Sequence, residues 1–172
     1  MRVLVAGIGN IFYGDDAFGC EVAQRLMRAP LPAEVKVADY AIRGFDLAND
    51  IAGKDGRGFD GVILVDAVQR GGAPGTLYVI EPDSAVPDLP VEGHDLTPAN
   101  VMSLVSALGG SCAGIQIVGC EPARFEGEEE GEMGLSPAVE EAVPHAMTVV
   151  MSLVEKVLAG PARATVPNRA EV

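Results

Sequence analysis

Apolar positions along the chain fall into two kinds of pattern, short continuous runs and longer stretches with helical spacing. Short runs bounded by turn residues predict buried strands, and apolar residues recurring every three or four positions predict helices. The predicted strands cover residues 2–6, 34–38, 62–65, 76–80 and 115–118. The predicted helices follow Asp16, cover 44–52, run from Thr97 to Leu108, and run from Ser136 to about Ala159, with Pro144 as a kink or break.

The order of these elements predicts the fold class. Strands that alternate with helices favour a parallel sheet whose two faces are covered by helices. We therefore expect an α/β fold, a single-domain three-layer α/β/α sandwich with a mostly parallel, twisted sheet of about five strands. The domain is predicted to span residues 1–159. Residues 160–172 contain few large apolar side chains and are predicted to form a flexible tail.

The first strand leads into a glycine turn that resembles a phosphate-binding loop but departs from it. Gly7 and Gly9 match the first two glycines of G-x-G-x-x-G, whereas Phe12 occupies the third glycine position. Asp15 and Asp16 follow directly. Carboxylates beside this turn would repel a pyrophosphate and attract a cation. The turn therefore favours a metal ion over a dinucleotide.

Four polar residues follow predicted strands, where ligands bind in open α/β sheets. Asp16, Asp39 and Asp66 come after the first three strands, and His94 lies in the loop after the fourth. Carboxylates alone would favour magnesium, and an added imidazole shifts the preference toward nickel, zinc or iron. The combination predicts a transition-metal site.

Each of these residues also has a purely structural interpretation. Asp16 could cap the first helix, and Asp39 could bond the backbone of its own turn. Asp66 follows four aliphatic residues and could be held by a salt bridge or by backbone N–H groups. His94 could be a solvated loop residue. It is the combination that favours a site.

Charge and cysteine usage narrow the class of partner. The chain has 25 acidic and 12 basic residues, a net charge of −13, which argues against nucleic acid and anionic membranes. We expect a cation or a basic protein as partner, and no membrane association. No apolar run is long enough to span a bilayer, so a cytoplasmic location is expected. Cys20, Cys112 and Cys120 lack C-x-x-C spacing and cannot all pair, so reduced thiols are expected. The acidic loop 126–132 is either solvated or guides a cationic partner.

Together these residues resemble the [NiFe]-hydrogenase maturation endopeptidases. Members of that family open with G-x-G-N-x-x-x-x-D-[DE]-x-x-G, which residues 7–19 match throughout. They also place an aspartate at the end of an apolar strand, here Asp66, and a histidine in a loop before a helix, here His94. The segments 119–122 and 134–137 also look like family elements. The likeness covers roughly residues 1–159.

The resemblance implies roles for particular residues. Asp16, Asp66 and His94 would be the catalytic residues that contact nickel. Asp39 and Gly44 would belong to a substrate-recognition segment that reads D-G-G-T or a close variant in many members. Here the residues between Asp39 and Gly44 differ from that pattern, so the hydrogenase class served stays open.

The resemblance also implies an activity. The enzyme would remove a short C-terminal peptide from the precursor of the [NiFe]-hydrogenase large subunit once nickel has been inserted. The nickel would be carried by the substrate, so the resting site would be metal-free. A non-catalytic nickel-binding chaperone on the same scaffold is the alternative. A nucleotide-binding module and a general metal-dependent peptidase are further alternatives.

Overall fold

A computed structural model of the chain describes residues 1–53, 58–82, 97–123 and 133–160. The strands are β1 (Val3–Ile8), β2 (Val35–Ala41), β3 (Gly61–Ala67), β4 (Leu77–Ile80) and β5 (Ile115–Cys120). The α-helices are α1 (Phe18–Leu26), α2 (Gly44–Ala52), α3 (Pro98–Ala107) and α4 (Pro137–Ala159). The acidic loop 126–132 and the predicted tail from residue 161 onward lie outside the described residues.

The five strands form one sheet in the order β2-β1-β3-β5-β4. β1 pairs in parallel with β2 and β3, and β3 pairs in parallel with β5, whereas β4 lies antiparallel at the edge. Every residue of β1 and β3 is buried, as expected for inner parallel strands covered on both faces. The predicted α/β class and the mostly parallel sheet are confirmed.

Alternating side chains of the strands build two separate cores. Val3 and Val5 of β1 face one layer, where they pack with α1 and α4, and Leu4 and Ala6 face the opposite layer, which α2 and α3 cover. This division follows from the period of two along a strand, because successive side chains point to opposite faces. The predicted arrangement of helices on both faces is therefore observed.

Helix α4 passes through Pro144 without a break. Its buried residues include Val139, Val143 and Val150, and they belong to the core cluster that covers one face of the sheet. By length and composition alone, α4 is the one described helix that would be long enough to cross a membrane. That is weak support for a membrane span, since the core helix of a globular domain has the same composition.

Helix α1 lies unusually close to the strands beneath it. A Cβ atom at Gly19 would come within 2.1 Å of the Val65 carbonyl oxygen and 2.3 Å of the Ile8 carbonyl oxygen. A Cβ atom at Gly7 would lie 2.2 Å from the Gly19 carbonyl oxygen. These two glycines of the opening motif allow backbone to pack against backbone. The close approach fixes the start of α1, and the turn before it, beside the end of β3.

Replacing Gly19 tests this contact. Gly19→Ala forces a methyl group against two backbone oxygens, and we expect the free energy of unfolding to fall by about 2–3 kcal/mol, the usual cost of overpacking a rigid site. Gly58→Ala is the matched control, because nothing lies within 4 Å of a Cβ atom there. Urea denaturation measures both variants. Equal stability of the two would show that α1 can shift without cost.

Candidate active site

The carboxyl edge of the sheet brings two of the predicted site residues together. Asp66 lies in β3, one residue before the strand ends, and is 5% exposed. Asp16 lies in a short 3-10 turn, Gly14–Ala17, between β1 and α1. This turn packs against β3, and the charge of Asp16 acts on the carboxyl group of Asp66. Two carboxylates, one buried and one partly exposed, therefore share this edge.

Asp66 is held in an unfavourable electrostatic environment. Burial raises the pKa of Asp66 well above its usual range, the negative charge of Asp16 raises it further, and one hydrogen bond from the Ala67 N–H (2.9 Å) only partly opposes this. The salt bridges found among the described residues do not involve Asp66. The salt bridge considered for Asp66 in the sequence is therefore not formed within the described part of the chain.

Asp16 is not a helix cap. The N-cap of α1 is Ala17, which makes no side-chain capping bond, and Asp16 Oδ2 instead accepts a hydrogen bond from the Asn10 N–H at 2.6 Å. Gly9 allows this approach, since a Cβ atom there would lie 1.9 Å from the Asp16 carbonyl oxygen. The capping interpretation of Asp16 is wrong. The glycine turn positions its carboxylate.

Asp15, predicted together with Asp16 to attract a cation, instead anchors the turn to the rest of the fold. It is 1% exposed, and its carboxylate accepts hydrogen bonds from Ser136 N–H (2.6 Å), Ser136 Oγ (2.9 Å) and Ala123 N–H (2.8 Å). Ser136 is the N-cap of α4, and Ala123 follows β5. One carboxylate thus ties three parts of the carboxyl edge together.

Asp39 lies inside β2, because that strand continues to Ala41 and does not end at residue 38 as predicted. Its Oδ1 accepts from the Ala41 N–H (3.0 Å), and its Oδ2 accepts from Gln24 Nε2 on α1 (2.9 Å). The local backbone bond considered for Asp39 is therefore present, together with a link to α1. Gly44, the first residue of α2, is buried.

Cys20 lies near Asp16, Asp39 and Asp66, a position that was not predicted from the sequence. Burial raises the pKa of its thiol, and Asp39, through its charge and a hydrogen bond, raises it further, as do the charges of Asp16 and Asp66. The thiol also donates to the Gly9 carbonyl oxygen, at 3.6 Å. Its closeness to Asp16 could have been predicted from the sequence, because residues four positions apart lie one helical turn from each other. Cys20 stays a neutral thiol and is no nucleophile.

Cys120 is also a poor nucleophile. Burial raises the pKa of its thiol to about 12, with smaller contributions from the charges of Asp15 and Glu121. A thiol with such a pKa is almost fully protonated at neutral pH, whereas the thiolate is the reactive form. The three cysteines are free, as predicted.

Glu121 is a second carboxylate whose role is structural. It is 5% exposed and accepts hydrogen bonds from the Arg70 N–H (2.9 Å), the Gly71 N–H (3.1 Å) and the Tyr78 hydroxyl (2.8 Å). Burial acts to raise the pKa of Glu121, but these hydrogen bonds outweigh it and leave the pKa below its usual range. Glu121 therefore holds the connection between β3 and β4.

His94 lies outside the described residues, so its predicted place beside Asp16 and Asp66 stays a prediction. Within the described ranges, no group of three or more His, Cys, Asp or Glu side chains is arranged to hold a metal ion. The pair Asp16 and Asp66 is the part of the predicted site that the structure brings together.

Comparison with known proteins identifies the family. A family model described as hydrogenase maturation protease matches residues 20–153, more than half of the chain. The chain belongs to the hydrogenase maturation protease family. Its members are proteases, which makes this protein a hydrolase, and the family resemblance stated from the sequence is confirmed.

Individual members of the hydrogenase maturation protease family align with most of this chain. The hydrogenase 2 maturation protease of Escherichia coli is 32% identical over 157 residues, 88% of this chain and 90% of that protein. A putative hydrogenase maturation protease of Methanocaldococcus jannaschii is 28% identical, covering 90% of this chain and 97% of that protein. The solved structure of the hydrogenase maturating endopeptidase HybD from E. coli superposes with a TM-score of 0.72, at 29% identity, covering 91% of this chain and 93% of that chain.

The anchoring role of Asp15 can be measured as stability. Asp15→Ala leaves the N–H groups of Ala123 and Ser136 without their acceptor, and we expect the free energy of unfolding to fall by about 3 kcal/mol. Ser136→Ala removes only the hydroxyl bond and should cost about 1 kcal/mol. Denaturant titration compares them. An equally small loss in both variants would contradict the anchor.

The buried Asp66 predicts a pH-dependent cost to folding. Because its pKa is raised on folding, the folded state binds more protons, and stability falls as the pH rises from about 4, its ordinary range, through the raised pKa. Asp66→Asn should therefore be more stable than the wild-type protein at pH 7, by on the order of 1 kcal/mol. The difference should vanish toward about pH 4. A pH-independent difference in thermal or urea unfolding would contradict this account.

Proposed function

We propose that this protein is the endopeptidase that removes the C-terminal peptide from a [NiFe]-hydrogenase large-subunit precursor after nickel has been inserted. Membership of the maturation protease family supports the reaction class. The observation that carries the nickel requirement is the pairing of Asp66 with Asp16. Two carboxylates that repel each other, one of them buried, form a site that an arriving cation stabilises.

The donor set fits a nickel ion presented by the substrate. Asp16 and Asp66 offer carboxylate oxygens, and His94 would add an imidazole nitrogen, a combination suited to first-row transition metals. Two or three ligands from the protein leave coordination positions for the substrate, as in open catalytic sites. We infer that the resting site is metal-free and that nickel arrives with the precursor.

Hydrolysis at this site needs few steps. The oxygen of a water molecule bonds to the carbonyl carbon of the scissile peptide, the C–N bond breaks, and the proton lost by the water passes to the leaving amine. Nickel would position the scissile bond or polarise its carbonyl group. Asp16 or Asp66 accepts the proton in transit. Burial and the charge of Asp16 raise the pKa of Asp66, which makes its carboxylate a better proton acceptor than an ordinary aspartate.

Asp39 and Gly44 are proposed to help recognise the precursor. Asp39 is held by Gln24 of α1, and Gly44 begins α2 where that helix leaves the same edge of the sheet. We also infer a cytoplasmic location, since free cysteines are typical of a reducing compartment.

The proposal is tested by the intact mass of the precursor from the same organism. The nickel-loaded precursor should lose a defined C-terminal peptide on incubation with this protein, and the nickel-free precursor should keep it. Binding of nickel-loaded precursor without any cleavage would instead favour the nickel-binding chaperone. Cleavage of both forms would contradict the nickel requirement.

Single-residue variants assign the chemistry. Asp16→Asn and Asp66→Asn should each reduce cleavage by at least about 100-fold, the range seen when a catalytic proton acceptor or an electrostatic contact is removed. Cys120→Ser is the matched control at the same edge, because its thiol is protonated and should not take part. Circular dichroism verifies that each variant is folded. Full activity of Asp16→Asn would remove Asp16 from the mechanism.

A further inference from the structure

Exposed apolar side chains are concentrated at the carboxyl edge of the sheet. Of the nine large apolar residues that are exposed in the described ranges, five lie in the two segments that follow β1 and β2. We name them the apolar rim: Ile11, Phe12, Tyr13, Ile42 and Phe45. Phe12 and Phe45 are 56% and 60% exposed. Single exposed apolar residues are ordinary, but a cluster beside a site marks a binding surface.

The two halves of the apolar rim lie side by side. The Gly9 N–H donates to the Ala41 carbonyl oxygen at 3.2 Å, so both segments leave the sheet next to each other. Asn10 joins the first segment to the carboxylate pair, since its N–H bonds Asp16. The rim therefore borders the site in which Asp16 and Asp66 meet.

The turn after β1 holds its apolar side chains outward. Asn10 Oδ1 accepts a hydrogen bond from the Phe12 N–H at 3.1 Å, and the Asn10 carbonyl oxygen accepts one from the Tyr13 N–H at 3.1 Å. This Asx turn fixes the backbone. Phe12 is thus presented from a fixed backbone, which lowers the ordering cost at binding and is favourable for an anchoring residue.

The charge of the protein limits what can occupy this surface. A second copy of the chain carries a net charge of −13 as well, so the two copies would repel each other, and an anionic membrane would also be repelled. A partner that fits this surface would bring a cation to Asp16 and Asp66 and apolar side chains to the apolar rim. A polypeptide that presents a bound metal ion has this chemistry.

We propose that the apolar rim binds an apolar stretch of the precursor polypeptide next to the segment that presents nickel to Asp16 and Asp66. This inference rests on the proposed function, since it names the contact by which the same substrate is held. The carboxylates recognise the metal, which is common to all loaded precursors. The apolar rim adds a contact that depends on the sequence of the precursor.

The double variant Phe12→Ser/Phe45→Ser tests the rim. Its dissociation constant for the nickel-loaded precursor should rise at least about tenfold, as expected when aromatic anchors are truncated, and the loss in kcat/KM should be carried by KM. The control is Met27→Ser/Val79→Ser, two apolar residues of similar exposure (47% and 50%) outside the rim, which should bind as the wild type does. Raising the salt to about 0.5 M should leave the wild-type-to-variant ratio unchanged, because apolar contacts are not screened.

The outcomes separate the rim from the proposed function. Unchanged binding by the rim variant, with normal cleavage by the wild type, overturns the rim and keeps the function. Rim-dependent binding without cleavage keeps the rim and overturns the protease proposal. Absence of any binding by the wild-type protein overturns the rim, and an equal loss in the control variant overturns it as well.

Discussion

The close contact between α1 and the strands beneath it is the constraint on which the site depends. Gly19 lets the helix backbone approach the carbonyl oxygens of Ile8 and Val65, and Gly7 lets β1 accept that helix. A side chain at either position would move α1 outward together with the turn that precedes it. Gly7, one of the two glycines that resemble a nucleotide-binding loop, is thus explained by packing against α1. The same packing holds the turn that carries Asp16 against β3, the strand that carries Asp66.

The buried carboxylates of this edge have different roles because they have different partners. Asp15 and Glu121 each receive three or more hydrogen bonds from the protein and hold segments together. Asp66 receives one from Ala67 and faces the charge of Asp16. Within the part of the chain that the structure describes, the structural carboxylates are held by several donors, whereas Asp66 has a single hydrogen bond and a like charge nearby. A buried carboxylate in this environment lowers the stability of the fold, and perturbed carboxylates of this kind cluster at functional sites, which supports the proposed cation site.

The carboxyl edge combines this charged pair with the apolar rim on adjoining segments. Parallel strands make the combination possible, because β1, β2 and β3 all end at the same edge and each contributes a loop or a terminal residue there. Under the proposed function, different residues would contact the metal ion and the precursor sequence, so these two parts of substrate binding could differ independently. The residues between Asp39 and Gly44, which depart from the pattern in many family members, belong to the segment proposed to recognise the precursor.

The sequence alone determined the layers of this fold and the edge at which chemistry is expected. Apolar runs and helical spacing predicted the strands and helices, because burial on one or both faces sets the period of the pattern. The opening motif predicted the family. The tertiary structure decided which of two adjacent carboxylates is structural: Asp15 and Asp16 are neighbours of the same type, and only contacts with Ser136 and Ala123, distant in sequence, make Asp15 an anchor. The tertiary structure also decided that Cys20 lies near Asp39 and Asp66 as well as Asp16. The spacing of residues along one helix does not specify which strands pack against that helix.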